Sequence, residues 1–265
     1  MSDRMRLVML VLSALMLAPA AYKLALAMPH FGAHPLPYGD AVNALAPKQR
    51  LVTNAVTAVN FDYRGFDTLG EEFMLLAAVT GTVVLLRGSR GEGTTDRPAR
   101  VPGRAVERRA DATTAVTRIG AWVLLLFGLY MALHGTVTPG GGFQGGAVIA
   151  SALLLVYLGD GYAPWRRVLA GPLFACIEAV GALAFVGAAL WPLAHGDAAL
   201  ANRLPHGEWK DLFSGGLMVV SNLAVAAAVA GSFTVLLTEA IEETRAIRSG
   251  EDDEAEDPPA RAAQP

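Results

Sequence analysis

The chain has 265 residues, of which 53% are hydrophobic and only 17% are charged, and its formal net charge is −3 at pH 7. A soluble domain carries about 25% charged residues, so this composition excludes a water-soluble globule of the same size. The weakly negative charge gives no indication of a nucleic-acid partner, and one cysteine, Cys176, excludes a disulfide framework. The sequence therefore predicts an integral membrane protein.

The first apolar block covers residues 5–27 and is long enough to cross a bilayer as a helix. Its Ala18-Pro19-Ala20 sequence resembles a signal-peptidase site, so cleavage of this segment stays open as an alternative. The apolar run continues beyond that site to Ala27, which favours a retained membrane helix. Residues 28–50, which contain prolines and glycines, are predicted to form a loop.

A second apolar region extends from residue 51 to residue 86. Its first part, Leu51–Phe61, is too short to cross a membrane, whereas its second part, Leu69–Leu86, is long enough. Three charged residues lie between the two parts, and we expect Arg64 to pair with Asp62 or Asp67. This region and the first helix together form a predicted module of two membrane helices, residues 1–88.

The next segment, residues 89–114, is rich in arginine and also contains prolines and glycines. It is predicted to be a solvated cytoplasmic linker between two modules. The second module, residues 115–243, contains four apolar blocks: Ile119–Leu133, Ala147–Leu158, Val168–Ala194 and Leu212–Ala240. Their helices are expected to begin near Ala115 for the first and near Phe143 for the second. The acidic tail, residues 244–265, is predicted to be disordered.

The fold class is therefore an all-α integral membrane protein with six transmembrane helices, two in the first module and four in the second. Lysine and arginine in short loops favour the cytoplasmic side. If the N-terminus is inside, six crossings place the arginine-rich segments 87–118 and 160–167 and the last helix end on that side. We predict a multi-pass protein of the inner or plasma membrane, with both termini cytoplasmic and residues 134–146 outside.

The segment "GGGFQGG", Gly140–Gly146, spells the dinucleotide-binding pattern G-x-G-x-x-G. That interpretation requires a strand before the glycines, but a membrane-length apolar block precedes them. Asp160, the candidate ribose-binding residue, lies beyond another apolar block and so at the opposite face of the membrane. A phosphate-binding Walker loop is also excluded, because no Lys-Ser or Lys-Thr pair follows the glycines.

The segment instead joins two membrane helices. Pro139 ends or bends the first helix, the glycines allow tight turns, and the last two glycines let another helix approach closely. Two interpretations remain open: a packed turn, or a backbone-lined site at the edge of an ion or proton path with His134 and Gln144 as polar groups. The motif comprises Pro139, Gly140, Gly141, Gly142, Phe143, Gln144, Gly145 and Gly146.

The surrounding sequence "LYMALHGTVTPGGGFQGGAVIASALLL" closely resembles the hallmark of the B-type subunit (MnhB/MrpB) of Mrp/Mnh-type multisubunit cation/proton antiporters. Upstream, "NAVTAVNFDYRGFDTLGEEFMLLAAVTGTVVLLR" resembles an element at the C-terminal end of the large A-type subunit of these systems, which also occurs as the small E-type (MbhE-like) subunit of membrane-bound hydrogenases. The two resemblances lie on opposite sides of the arginine-rich linker. This arrangement implies a fused subunit.

Glu178 lies inside the fifth apolar block, where a carboxyl group is costly and must pair, stay protonated or face water. It is either a neutral group bonded to a neighbouring helix or part of an ion or proton path. The resemblance favours the path, because the B-type subunit commonly has an acidic residue at this position.

Glu71 and Asp67 belong to a stretch that is typical of a helix start, with Asp67 as the cap. The alternative places both in an ion or proton path, and the family motif contains the same Gly-Glu pair. His134 titrates near neutral pH and can pass protons, or it is simply a hydrogen-bonding group at a helix end.

The resemblance implies a membrane subunit of a multisubunit monovalent cation/proton (Na⁺/H⁺) antiporter, which contributes assembly surface and part of an ion path. Its implied partners are subunits of the A, C, D, E, F and G types, the lipid bilayer, Na⁺ or another monovalent cation, and H⁺. The alternative is a subunit of an ion-translocating hydrogenase or a related respiratory complex. The sequence shows no metal-ligand spacing and no Ser/His/Asp arrangement, so we expect no metal, no cofactor and no enzymatic activity.

Overall fold

The structure is a computed structural model that describes residues 3–28, 37–89, 110–169 and 172–256. Within these ranges it is helical and contains no β-strand, which confirms the predicted all-α class. Six helices are long and apolar enough to cross a membrane, as predicted. Their spans are Leu7–Ala27, Gly65–Arg87, Asp111–Leu133, Gly142–Asp160, Leu173–His195 and Leu217–Thr244.

The chain forms two compact units, residues 1–41 and residues 42–265. The first unit contains helix α1 (Asp3–Ala27) and the start of helix α2 (Pro37–Arg50). The predicted loop 28–50 therefore contains a helix. Its ends suit the helix dipole, because proline occupies the first position, an aspartate lies in the first turn, and Lys48 and Arg50 lie in the last turn.

The second unit holds the remaining elements in chain order. They are α3 (Ala55–Ala58), a π-helical turn (Val59–Tyr63), α4 (Gly65–Ser89), α5 (Asp111–Leu133), α6 (Gly142–Asp160), α7 (Tyr162–Val168), α8 (Leu173–Leu190), a 3₁₀ turn (Trp191–His195) and α9 (Leu217–Glu256). The segment Leu51–Phe61, predicted to be too short to span, contains α3 and the start of the π-helical turn. Most of the predicted linker 89–114 lies outside the described residues.

Helix α9 is the centre of the second unit, because α4, α6 and α8 pack along it while α5 packs mainly on α6. One hydrophobic core contains Val52 and Phe61 from before α4 together with Phe185 of α8 and Val225 of α9. Residues from both predicted modules contribute to this core, and the module bounds 1–88 and 115–243 stay a prediction. Helix α4 packs along α9 within residues 42–265.

Ion pairs join the helices at one end of this bundle. The Arg87 side chain donates to Glu239 from Nε at 2.8 Å, and Arg118 donates to Asp160 from Nε at 2.7 Å. The first contact joins the end of α4 to the second half of α9, and the second joins the first half of α5 to the end of α6. These two contacts agree with parallel directions for α4 and α9 and opposite directions for α5 and α6, as six alternating crossings require, while the orientation in a membrane stays a prediction.

Helix α9 extends further than the predicted module. It continues to Glu256, although the acidic tail was expected to be disordered from residue 244. The segment contains several alanine, glutamate and arginine residues, which favour helix and propagate an existing one at low cost. Residues 257–265, the rest of the predicted tail, lie outside the described residues.

Candidate functional site: buried carboxyl groups along the central helix

The glycine motif encloses one side chain of α9, that of Asn222. The backbone N–H of Gly142 donates to Asn222 Oδ1 at 2.6 Å, and Asn222 Nδ2 donates to the carbonyl oxygen of Ala132 at 2.6 Å. Asn222 is 2% exposed. One amide thus joins the end of α5, the start of α6 and the central helix.

The close approach of α9 requires glycine at several of these positions. A Cβ atom at Gly142 would lie 2.1 Å from the backbone oxygen of Asn222, and one at Gly135 would lie 2.2 Å from Asn222 Nδ2. Gly140 and Gly141 have φ angles of 142° and 146°, which residues with side chains rarely adopt. The motif is therefore a closely packed turn in which the Gln144 side chain is exposed, and a role at the edge of an ion path stays a prediction.

The same turn is held from the other side by Asn54, which sequence reasoning missed. Asn54 Nδ2 donates to the carbonyl oxygens of Gly135 at 2.7 Å and Thr138 at 3.0 Å. Its Oδ1 accepts from the N–H of Val56 at 3.1 Å and so caps α3. An asparagine before an apolar run is a recognisable cap signal, but its second role depends on a turn far away in the sequence.

Glu178 is buried between α8 and α9, with 8% of its surface exposed. Its Oε1 accepts a hydrogen bond from Ser232 Oγ at 2.7 Å. The two backbones meet here because α9 has glycine at position 231, where a Cβ would lie 2.5 Å from the Glu178 nitrogen. The bond to α9 agrees with the packing interpretation, while burial is what the proton-path interpretation requires, so both remain open.

Glu71 and its neighbour occupy opposite environments on α4. Glu71 is exposed, whereas Glu72 is 7% exposed, and Glu72 Oε1 has no hydrogen-bond partner among the described residues. The role predicted for Glu71 stays a prediction. Sequence reasoning missed Glu72 because two adjacent glutamates cannot be assigned to a face until the helix they occupy is packed.

Asp67 does not cap α4, because the helix begins two residues earlier, at Gly65, directly after the π-helical turn. The Asp67 side chain forms an ion pair with Arg64, which confirms one of the two pairings predicted for that arginine. Its place in the first turn still suits the helix dipole.

His134 follows the last residue of α5 and is partly exposed. Its ring stacks on Tyr130 with 4.2 Å between ring centroids, and Nδ1 lies 3.1 Å from the Tyr130 carbonyl oxygen. His134 lies beside the Asn222 turn, roughly 14 Å along the axis of α9 from the level of Glu178. The structure therefore does not bring these two candidates together.

The buried carboxyl groups share one seam, formed where α4, α8 and α9 meet. Ser221, Ser232 and Glu239 recur on α9 at intervals of eleven and seven residues, which places them on one helix face. That face contacts Glu178 of α8 through Ser232 and Arg87 of α4 through Glu239. The spacing of these residues can be seen in the sequence, but the sequence does not show which helices pack against that face.

The seam has three levels along α9. Arg87 contacts Glu239, so these two residues lie at the same level along the bundle. Glu72 comes fifteen residues before Arg87 on α4, and Ala224 comes fifteen residues before Glu239 on α9. Glu72 therefore lies near the level of Ala224. At 1.5 Å per residue, Glu72 and Glu178 are roughly 12 Å apart along the axis, and Glu178 and Glu239 roughly 11 Å. These separations exceed the reach of a direct hydrogen bond, so proton passage along the seam would require hydroxyl groups or water between the carboxyl groups.

No group of three metal-binding side chains occurs among the described residues.

We expect Asn222→Leu to destabilise the protein by about 2 kcal/mol or more, because the buried N–H of Gly142 and the carbonyl of Ala132 both lose their partner. The measurement is the thermal unfolding midpoint of the purified protein in detergent. Gln144→Leu removes the same amide from an exposed position and is expected to stay within about 0.5 kcal/mol of the wild type. Equal midpoints for the two variants would contradict the role of Asn222.

Six apolar helices and a row of carboxyl groups inside the bundle define a multi-pass membrane protein with ionisable groups at membrane depth. Residues 112–235 match the family model described as "Domain related to MnhB subunit of Na+/H+ antiporter". This part of the chain is therefore similar to the MnhB family, in agreement with the resemblance seen around the glycine motif. The matched range does not include the first module, whose resemblance stays a prediction.

Two curated relatives are similar to parts of the chain. An uncharacterized protein of Methanocaldococcus jannaschii is 30% identical over 128 residues, which are 45% of this chain and 49% of that protein. The B-type subunit of the Na(+)/H(+) antiporter of Alkalihalophilus pseudofirmus is 50% identical over 44 residues, which are 17% of this chain and 31% of that relative. The chain thus spans half or less of the length of these relatives.

Two solved structures resemble nearly the whole chain. One belongs to the membrane-bound sulfane sulfur reductase, an archaeal respiratory membrane complex, with a TM-score of 0.65 and 30% identity over 88% of this chain and 98% of that chain. The other belongs to the Mrp complex from Dietzia sp. DQ12-45-1b, with a TM-score of 0.66 and 22% identity over 90% of this chain and 26% of that chain. At that identity the second likeness concerns the fold alone.

Proposed function

We propose that the chain is an integral membrane subunit of a multisubunit monovalent cation/proton antiporter, of the Na⁺/H⁺ type. It contributes assembly surface, and Glu178 forms part of a proton path. The observation that carries this proposal is the buried carboxyl group of Glu178, bonded to Ser232, inside the MnhB-family part of the chain. The 50% identity with the B-type subunit of a known antiporter over 44 residues supports it.

A second candidate is a membrane subunit of a respiratory complex, such as an ion-translocating hydrogenase. The likeness to a chain of the sulfane sulfur reductase favours it, because that likeness covers nearly all of the other chain. The chain has one cysteine and so cannot bind an iron–sulfur cluster through four cysteines. In this case the redox centre would belong to partner subunits, and the chain would again act in ion movement.

The first module is proposed to be the element found at the end of the A-type subunit and in E-type hydrogenase subunits, fused to the MnhB-like module. Two observations support this fusion. The likeness to the reductase chain covers 88% of this protein. The second module is a smaller share of the chain than that, so the likeness extends into the first module. The hydrogen bonds of Asn54 to Gly135 and Thr138, which join residues 1–88 to residues 115–243, also support it.

The proposed partners are antiporter subunits of the A, C, D, E, F and G types, together with the bilayer, a monovalent cation and H⁺. We propose a transport subunit instead of an enzyme. The chain is not expected to transport alone. Its three lysines are Lys23, Lys48 and Lys210, and none lies near the centre of a predicted crossing, where large antiporter-like subunits are expected to carry one.

Purification in mild detergent, followed by mass spectrometry of the co-purifying proteins, tests this assignment. The antiporter proposal predicts recovery of several large, multi-helix membrane subunits without a redox protein. Recovery with an iron–sulfur or flavin subunit would support the respiratory candidate and contradict the first. Recovery of this chain alone, under conditions in which the membrane extract retains cation/proton exchange, would contradict both.

The proposed orientation in the cell membrane predicts which cysteines react with a membrane-impermeant thiol reagent. In a Cys176→Ser background, Ala198→Cys lies in the proposed outer loop and Ala163→Cys in the proposed inner helix α7; both positions are exposed. We expect labelling of the first variant in intact cells and of the second only after permeabilisation. The reverse pattern would show that these two loops lie on the opposite sides of the membrane from those proposed.

A further inference from the structure

Two buried polar side chains on facing helices have no partner in the part of the chain that the structure describes. Glu72 of α4 is 7% exposed and Ser221 of α9 is 0% exposed. Glu72 Oε1 and Ser221 Oγ are both inaccessible and make no hydrogen bond with the described residues. A carboxylate left in this state at membrane depth is far more costly than a neutral acid that bonds a neighbour.

The register of the helices places these two groups near one another. Helices α4 and α9 run in parallel, since Asn202 bonds both Asp62, just before α4, and the N–H of Leu217, which begins α9. At the other end Arg87 bonds Glu239. Glu72 therefore lies near the level of Ala224, within about one helical turn of Ser221.

The direction of the side chains brings them closer. In a helix the Cα–Cβ bond tilts towards the N-terminus. Both side chains lean in that direction because the helices are parallel, but the longer Glu72 side chain reaches further, towards the level of Ser221. Ser221 lies on the face of α9 that carries Ser232 and Glu239, the face in contact with α4. The carboxyl group and the hydroxyl group thus border the same stretch of the seam.

We propose that Glu72 and Ser221 form a proton-binding site, in which protonated Glu72 donates a hydrogen bond to Ser221 Oγ. This arrangement satisfies both groups and leaves no net charge in the bundle. With three side-chain oxygens, Oε1 and Oε2 of Glu72 and Oγ of Ser221, the site supplies too few ligands for a dehydrated monovalent cation, so a proton is the ligand that fits. The proposal deepens the proposed function, because it adds a second proton-binding carboxyl group at a different membrane depth from Glu178.

The charged groups around Glu72 are few. Its own helix contributes Glu71, which is exposed on the adjacent face, and the π-helical turn contributes Asp62, which is paired with Arg50 and bonded by Asn202. Helix α8 contributes Glu178, more than two turns away and bonded to Ser232, and α9 contributes Glu239, which is paired with Arg87. No described cation on these elements faces Glu72, which leaves a proton as its counter-charge.

Infrared difference spectroscopy of the purified complex tests the proposal without any measurement of ion flux. A protonated acid in a protein gives a carboxyl C=O stretching band that an ionised carboxylate lacks. We expect the wild-type spectrum to contain such a band with the intensity of one carboxyl group per chain. Glu72→Gln should remove that band. Glu71→Gln, the matched change on the exposed face of the same helix, should retain it.

Ser221→Ala supplies an independent test, because it leaves the Glu72 carboxyl group in place and removes the hydroxyl oxygen that accepts its hydrogen bond. The band should then shift in frequency without losing intensity. Identical carboxyl bands in the wild type and Glu72→Gln, or an unshifted band in Ser221→Ala, would overturn the site. An intact band together with absent cation/proton exchange would leave the site standing and contradict the proposed function instead.

Discussion

Gly142→Ala is expected to prevent accumulation of the folded subunit. The added Cβ would lie 2.1 Å from the backbone oxygen of Asn222 and 2.9 Å from the backbone nitrogen of Ala226. Both contacts are with the main chain of a buried helix, which cannot move aside as a flexible side chain can. We expect a loss of about 3 kcal/mol or more in the free energy of unfolding, beyond the usual cost of overpacking.

The measurement is the amount of the chain in the assembled complex on a native gel, with the unfolding midpoint of whatever assembles. Gly187→Ala is the matched control, because it changes a glycine within α8 whose added Cβ would have no atom within 4 Å. That variant should accumulate like the wild type. If Gly142→Ala also accumulates normally with an unchanged midpoint, the close contact between α6 and α9 is wrong.

Glu178→Gln is expected to lower cation-dependent proton flux at least tenfold while the complex still assembles. Glutamine retains the shape and can accept the hydrogen bond from Ser232 Oγ, but it cannot bind and release a proton. Glu178→Asp retains titration with a shorter reach, so an intermediate flux is expected. Glu178→Ala leaves the buried Ser232 hydroxyl unpaired and is expected to cost about 1–3 kcal/mol in stability.

Flux in membrane vesicles, normalised to the assembled complex, distinguishes these outcomes. Glu208→Gln makes the same chemical change in an exposed loop and should leave the flux unchanged. A purely structural Glu178 predicts the opposite ordering, with glutamine nearly neutral and alanine impaired. Wild-type flux in Glu178→Gln at every pH would remove this residue from the path.

The membrane helices were predictable because apolar length and charge clustering are local properties. The six blocks appear in the structure near their predicted places, and Glu178 is buried inside the bundle. The helix over residues 37–50 was missed, since prolines and glycines suggest a loop while the end charges that suit a helix are a weaker signal. The continuation of α9 to Glu256 was missed because acidic composition does not prevent propagation from an existing helix.

The details of the site depended on contacts between distant residues. The glycine motif could be identified as a turn, but its packing around Asn222 involves a residue eighty positions away. Likewise, "GEE" contains two adjacent glutamates, and only the packing of α4 on α9 shows that Glu72 is the buried one. Composition suggests two modules, whose bounds stay a prediction, but it could not show that residues before α4 share a core with α8 and α9.

Inverted membrane vesicles provide the decisive measurement of whether the chain belongs to a cation/proton antiporter. Proton movement is recorded after a pulse of Na⁺ or K⁺, with no electron donor present, in vesicles that contain the complete complex and in vesicles that lack only this chain. We expect cation-dependent proton movement that is lost without the chain and restored when the chain is supplied again. Proton movement that requires an electron donor and does not respond to either cation would contradict the antiporter proposal.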